Sequence, residues 1–259
     1  MDCYYYKTIN ETNYPILNNV DLTLVLMMEN STRFKKDSFL LSLSKKTIIQ
    51  YNKGYKKCNK KYITKSSEDI NHAYYTALIY SKSFNNVLII EEDAEILNTD
   101  PKHYKLIDEY LSGTFNVLSF GTNGVFKSID KNFYKVDTPH GAQAQIFSKD
   151  FRDSLILKIE NNNFKGEIDA DYLNNYVVTV YNFPLIVQKF PDTENFNNWS
   201  GNKFLNKLGI KTLALDTSLN GWYIIHLISK FRGIGKILAV FIIFLVCFIK
   251  LQNFINIKI

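Results

Sequence analysis

The chain is poor in the residues and patterns that announce a cofactor or a metal cage. Three cysteines in 259 residues, Cys3, Cys58 and Cys247, form an odd and scattered set. They offer neither a disulfide framework nor a C-x-x-C metal site, so core or surface thiols are expected. The four histidines, His72, His103, His140 and His226, show no H-E-x-x-H spacing, and zinc hydrolysis has no support. Neither a G-x-x-x-x-G-K-S/T loop nor a G-x-G-x-x-G fingerprint occurs, which weakens P-loop and dinucleotide readings. Met1 to Asn19 lacks the charged-then-apolar build of a secretory leader, and entry by that route is not expected.

Acidic residues are missing from one long stretch. Residues 221 to 259 contain Lys230, Arg232, Lys236, Lys250 and Lys258 and no acid, which leaves 26 bases against 25 acids elsewhere. The net charge of +6 therefore belongs to the tail, and a near-neutral body argues against a nucleic-acid partner. Within that tail Ile237 to Ile249 is uninterrupted apolar sequence, ~20 Å as a helix against a ~30 Å hydrocarbon core. Extended over 234 to 254, with Lys236 and Lys250 snorkelling and Trp222 and Tyr223 at the interface, it is expected to form a C-terminal hydrophobic helix that anchors the protein to a membrane. The expected location is membrane-associated, with the body of the protein on the cytoplasmic side.

With 46% hydrophobic and 15% aromatic residues, the chain can bury one sizeable core. The expected organisation is an N-terminal extension (1–19), one domain (20–195), a linker (196–220) and the basic, hydrophobic tail (221–259).

The most informative stretch is Asn86-Val87-Leu88-Ile89-Ile90-Glu91-Glu92-Asp93, an apolar run that stops on three carboxylates. A buried strand that delivers acids at its C-terminal end is how α/β enzymes place a metal-binding edge. Alternation puts Glu91 and Asp93 on one side and Glu92 on the other. Hard oxygen ligands of this kind suit Mn²⁺ or Mg²⁺ shared with nucleotide phosphates.

Around it the periodicity predicts alternating strands and helices. Asp21 to Met28 reads as a strand, followed by a helix from about Asn30 to Lys46 and a strand over Thr47 to Tyr51. The lysine-rich stretch 52 to 65 reads as a solvated loop, with a phosphate-facing role as the sharper alternative. Ile70, Ala73, Tyr74, Ala77 and Leu78 make one helical stripe, with Glu68 and Asp69 in its first turn. Asp100 and Pro101 start another helix, which Gly113 ends. Asn116 to Phe120 is a strand closing on Gly121-Thr122-Asn123-Gly124, a loop able to approach a ligand. Ala142 to Phe147, a helix to Ile159, and segments over 168–176, 177–181 and 185–188 follow. The alternation predicts an α/β fold with a mostly parallel central sheet flanked by helices.

The order of these motifs resembles glycosyltransferase family 25, the lipopolysaccharide and collagen-type galactosyltransferase group with a GT-A fold. Leu24 to Lys36 is similar to its opening strand and the basic helix start after it. Glu68 to Tyr75 sits where the family has its next helix, and Leu88 to Ala94 resembles its strand ending in E-D-D. Asn116 to Gly121, Gly141 to Ser148, Ile168 to Leu173 and Phe183 to Gln188 complete the series. Glu92 replaces the central aspartate of E-D-D, and Gln143 stands in the place of a histidine.

The resemblance implies a nucleotide-sugar donor, such as a UDP-hexose with galactose favoured, and a hydroxyl acceptor on a glycan, lipid or protein. Asp93 is the first candidate metal ligand, with Glu91 sharing the ion or holding the nucleotide. Arg33 suits a bidentate contact with a nucleotide phosphate or, alternatively, a surface salt bridge. Asp169 and Asp171 are candidates for the base that takes the acceptor's proton, or else N-terminal helix caps. A non-catalytic carbohydrate-binding or scaffold protein on a degenerate transferase fold is the competing class, and metal-dependent phosphotransfer a third.

Overall fold

The structure is a computed structural model that describes residues 2–174, 176–188, 226, 227, 229 and 230. Strands β1 (Tyr4–Glu11) and β2 (Leu22–Met28) precede a short helix α1 (Ser38–Leu41), strand β3 (Lys46–Asn52) and helix α2 (Ser66–Tyr80). Strands β4 (Val87–Glu91) and β5 (Ala94–Ile96) lead into α3 (Pro101–Leu111), followed by β6 (Val117–Ser119), β7 (Asn123–Ser128), β8 (Phe133–His140) and β9 (Ala144–Phe147). Helix α4 (Lys149–Asn161), a π-helical turn (Ile168–Tyr172), β10 (Val178–Tyr181) and β11 (Ile186–Gln188) complete it.

Nine strands form one sheet in the order β1-β3-β2-β4-β9-β6-β10-β8-β7, while β5 and β11 pair separately. The expected mostly parallel sheet is corrected. Only β3–β2, β2–β4 and β6–β10 are parallel, and the other five junctions are antiparallel. What remains is a mixed α/β architecture with helices on both faces of a central sheet. The antiparallel character comes from three places: the edge strand β1, the β7–β8 hairpin, and β9, which runs backwards between β4 and β6.

Both faces of the sheet are covered, which is why β4 is apolar at every position before its last. Val87 and Ile89 pack with Tyr74, Ala77 and Leu78 of α2 and with Leu155 and Ile159 of α4. Leu88 and Ile90 face the opposite way, against Tyr104, Ile107 and Leu111 of α3 and Leu40 of α1. Glu91 continues the parity of Val87 and Ile89, so its side chain emerges on the α2 side.

Local chemistry explains the starts of three helices. Asp100 caps α3, its Oδ1 accepting from Lys102 N at 3.0 Å, with Pro101 in the first turn. Thr64 donates to Glu68 Oε2 through its N (2.8 Å) and Oγ1 (2.9 Å), closing the start of α2. The helix expected from about 30 to 46 shrinks to α1, whose cap is Asp37, accepting from Phe39 N and Leu40 N. Residues 30 to 37 carry no apolar stripe to bury, and Arg33 is drawn off to an acidic partner described below.

Cys3 and Cys58 form a disulfide with their Cα atoms 5.6 Å apart, correcting the expectation of thiols at both positions. The bond ties the start of β1 to the lysine-rich loop. Membrane attachment is also corrected. Among the described residues no helix is long and apolar enough to cross a membrane. The run 234–254, with the C-terminal hydrophobic helix expected there, lies outside the described residues, as do Trp222 and Tyr223. The membrane partner, the membrane-associated location and its cytoplasmic orientation are withdrawn. Two described residues of the tail lie on the body: His226 packs on Phe126 with ring centroids 4.9 Å apart, and Lys230 donates to the Asn182 carbonyl.

Candidate functional site

From β2 the chain passes to β3 on one side, then crosses back through α2 to β4 on the other. The carboxyl ends of β2 and β4 therefore flank a topological switch point, where open α/β sheets place their ligands. The acidic run Glu91-Glu92-Asp93 opens at this point. The start of β9 reaches the same edge, since Glu91 N donates to the Gln143 carbonyl at 2.9 Å.

The three acids part company here. Glu92 turns toward β2, its Oε2 accepting from Met28 N at 3.0 Å and its Oε1 from Arg33 Nη2. Arg33 Nη1 also lies 3.9 Å from Asp93 Oδ2. Arg33 thus bridges the turns after β2 and β4, and with side chains 26% and 8% exposed the Arg33–Glu92 pair is largely shielded from water. A pair so shielded is costly to break from either side.

Glu91 lies beneath, on the α2 side. The Tyr74 hydroxyl stands 3.0 Å from Glu91 Oε1 and 2.6 Å from the Ala142 carbonyl oxygen. Burial first, then the charge of Asp93, with smaller pushes from Asp169 and Glu92, raise the Glu91 pKa to about 8, against the lowering effect of Tyr74. One phenolic proton cannot serve two acceptors. A Glu91 that keeps its own proton completes the chain, donating to Tyr74 while Tyr74 donates to Ala142. The same neighbours, after burial, push the Tyr74 pKa well above its ordinary value.

Asp169 arrives from the π-turn, a rare helix form that recurs at functional sites. Its carboxylate accepts from Gly141 N, just before β9, and its charge reaches both Glu91 and Tyr74. Asp171, two residues on, takes a different post. Its Oδ2 accepts from Glu167 N at 2.7 Å and lies where a side chain on Gly166 (φ +95°) would stand, so it closes the turn on itself. Asn71 of α2 holds the preceding loop, donating to Phe164 O (2.7 Å) and Gly166 O (2.8 Å). The structure therefore gathers Arg33, Glu91, Asp93 and Asp169 at one edge and turns Asp171 into the backbone.

Sequence reasoning missed what three residues do. Tyr74 read only as part of a core stripe, and its hydroxyl is what meets Glu91. Gln143 is buried with its Nε2 donating to Gly121 O at 2.9 Å. Gly121 itself is required by packing, because a Cβ there would stand 2.2 Å from Ile186 O. The loop expected to approach a ligand thus approaches β11 instead.

Among the described residues no three side chains of His, Cys, Asp or Glu converge as a closed metal cage needs. Two carboxylates completed by substrate phosphates and water are a usual setting for Mg²⁺ or Mn²⁺. Burial first and the charge of Asp93 second raise the Glu91 pKa, and a divalent cation between the two carboxylates would relieve the second of these. The donor set fits an ion shared with substrate.

No family model matches the chain, and no curated protein matches it. The crystal structure of A197 from STIV is 13% identical, with a TM-score of 0.39, covering 62% of this chain and 81% of that one. UDP-glucose pyrophosphorylase complexed with UDP-glucose is 14% identical, with a TM-score of 0.37, covering 72% of this chain and 81% of that one. These are weak structural links, one of them to an enzyme that handles a nucleotide sugar, and values this low assign no family.

Proposed function

We propose that the protein is a metal-dependent glycosyltransferase that moves a hexose from a nucleotide-sugar donor to a hydroxyl acceptor on a glycan, lipid or protein. Galactose carried on UDP is the donor that the motif resemblance favours. The observation that carries the reading is the emergence of Glu91 and Asp93 at the switch point of the sheet within electrostatic reach of Asp169, where burial and the charge of Asp93 already distort the ionisation of Glu91. Two of these acids are offered to a cation and the third to a proton.

In this reading Asp93 and Glu91 hold Mn²⁺ or Mg²⁺ together with the donor's diphosphate. The bound ion supplies neutralisation of the charge that grows on the departing diphosphate. Tyr74 fixes the orientation of Glu91. Arg33 pins the acidic turn through Glu92 and Asp93 and is the candidate contact for a nucleotide phosphate. Asp169, steadied by Gly141 N, takes the proton of the acceptor hydroxyl, which is a poor nucleophile until a placed base relieves it of that proton. Asp171 supports the turn that carries Asp169.

Hydrolysis of UDP-galactose with and without Mn²⁺ tests the reading. Wild type should show Mn²⁺-dependent release of UDP, and Asp93→Asn should lose it; equal rates in the two proteins would remove the metal role. The acids also have partners within the protein, Arg33 for Glu92 and Tyr74 for Glu91, and this favours the competing reading of a non-catalytic carbohydrate-binding protein. That protein would show no Mn²⁺-dependent binding of UDP-sugar by calorimetry.

A further inference from the structure

The loop between β3 and α2 contains Lys53, Lys56, Lys57, Lys60, Lys61 and Lys65 and no acid. Lys60 is withdrawn from the surface. It is buried, pairs with Asp69 and lies 4.4 Å from the Tyr4 ring centre. Lys56, Lys57, Lys61 and Lys65 remain exposed.

These four charges are held on a fixed frame. The disulfide to Cys3 pins Cys58. Gly54 N donates to Asn52 Oδ1 at 2.8 Å and Tyr55 N to Asp69 Oδ2 at 3.3 Å. At the far end Thr64 is bound to Glu68. A cationic surface ordered in advance loses little entropy on meeting a ligand. A solvated loop with no task needs none of these ties.

Tyr62, at the crest of the loop, is 53% exposed and sits at φ +69°. A bulky aromatic residue in the left-handed region is strained, and such strain collects where a side chain is being presented. Lys61 Nζ lies 4.7 Å from the Tyr62 ring centre. A half-exposed aromatic ring with an ammonium group beside it, on a loop with three further exposed lysines, matches a sugar ring that carries sulfate, phosphate or carboxylate.

The loop borders the candidate site at both ends. A Cβ on Gly54 would come within 2.9 Å of Met28 Cε, and Met28 N is bound to Glu92. At the other end Lys65 acts electrostatically on Glu167, two residues before Asp169. We propose that residues 53–65 form a binding platform for an anionic oligosaccharide, with Tyr62 under a sugar ring and the exposed lysines on its charged groups. As the acceptor's docking site this rests on the transferase reading above. The neighbouring acids repel a continuous phosphate backbone, so the ligand that fits has spaced charges and a neutral hydroxyl end turned toward Asp169.

Calorimetric titration of the full chain with a sulfated heparin hexasaccharide and with its desulfated counterpart, in EDTA and without nucleotide, tests the platform. The sulfated sugar should bind, more weakly as salt rises, and the desulfated one should bind far less. Replacing Lys56, Lys57, Lys61 and Lys65 together with glutamine should weaken binding by about tenfold or more, the weight of several exposed charge contacts. Tyr62→Asn, which suits the left-handed backbone, should melt no lower than wild type and still bind several-fold more weakly. Unchanged affinity in the quadruple variant would overturn the proposal. So would equal binding and full competition by single-stranded DNA of matching charge, which would mark an indiscriminate polyanion surface. Because metal and nucleotide are absent, a negative result leaves the Mn²⁺-dependent hydrolysis test standing. Sugar binding by a chain that never hydrolyses UDP-galactose would remove the transferase reading and keep the platform.

Discussion

Replacing Glu91 with glutamine should flatten the pH dependence of the metal-free protein's stability. Burial, the charge of Asp93 and smaller contributions from Asp169 and Glu92 raise the Glu91 pKa from 4.5 to about 8 in the folded state. The unfolded chain releases that proton near the ordinary value. Below pH 4.5 both states are protonated and nothing is lost. As pH climbs from 4.5 to 8 the unfolded state gives up the proton and the native state keeps it, so stability falls across that window and levels off above it. At ~1.4 kcal/mol per tenfold, the fall attributable to this one group is ~5 kcal/mol. Glutamine keeps the shape and has no proton to exchange, so Glu91→Gln should match wild type at pH 4.5 and exceed it by several kcal/mol at pH 8. His72 and His103, both lowered chiefly by burial, tilt stability the other way, but they are common to both proteins and cancel in the difference. Urea unfolding in EDTA at pH 5, 6, 7 and 8 measures it. Mn²⁺ should then stabilise wild type increasingly as pH rises, because binding must expel the proton. Parallel pH curves for the two proteins between 5 and 8 would refute the raised Glu91 pKa, and with it the burial and carboxylate charge held to cause it.

Two further outcomes separate chemistry from scaffold. Asp169→Asn keeps an acceptor for Gly141 N and removes the base, so transfer to acceptor should drop about a hundredfold or more with little change in the melting temperature. Asp171→Ala should lower urea stability by about 1 kcal/mol, the worth of one backbone-capping bond, and leave turnover intact; the reverse pattern in rate assays would exchange their roles. Arg152, fully buried, donates to the carbonyls of Asn85 (2.6 Å), Phe147 (3.2 Å), Ser81 (3.3 Å) and Phe84. Arg152→Met should cost ~3 kcal/mol in urea unfolding by stranding those oxygens, and a loss under 1 kcal/mol would show that the carbonyls find other partners.

Long elements with one clear period were legible before any coordinates. The stripe Ile70, Ala73, Tyr74, Ala77, Leu78 became α2, and Asp100-Pro101 became the start of α3. The strand over Val87 to Glu91 came out whole, because a run covered on both faces has no polar position to blur it. The misses share a cause, namely that pairing decides them rather than local sequence. β1 reads as tyrosines and polar residues because it is an edge strand with one face in water. The β7–β8 hairpin depends on Asp130, whose Oδ1 accepts from Asn132 N at 2.6 Å and Phe133 N at 2.8 Å, a turn that resembles any polar loop. The direction of β9 has no signature at all, since Ala144 to Phe147 would be equally apolar either way. The Cys3–Cys58 bond was hidden for a similar reason: fifty-five residues separate the partners, and only the β1–β3 pairing brings them together.

At the site, residue types were readable and their allegiances were not. Nothing in Glu91-Glu92-Asp93 says that the middle acid leaves for Arg33, or that Tyr74 waits beneath the first. Those allegiances also bear on what the edge is for. A purely structural edge has no use for a carboxyl group it must keep protonated, and a neutral amide would donate to the Tyr74 oxygen without the penalty. Just before β9 a buried amide does sit in this way, Gln143 donating its Nε2 hydrogen to Gly121 O. Glu91 and Asp93 repel each other at the mouth of a switch point, at a cost to the folded state that a cation would remove. Stability set aside at this spot is accounted for by the proposed metal site, because a cation bound there would restore it.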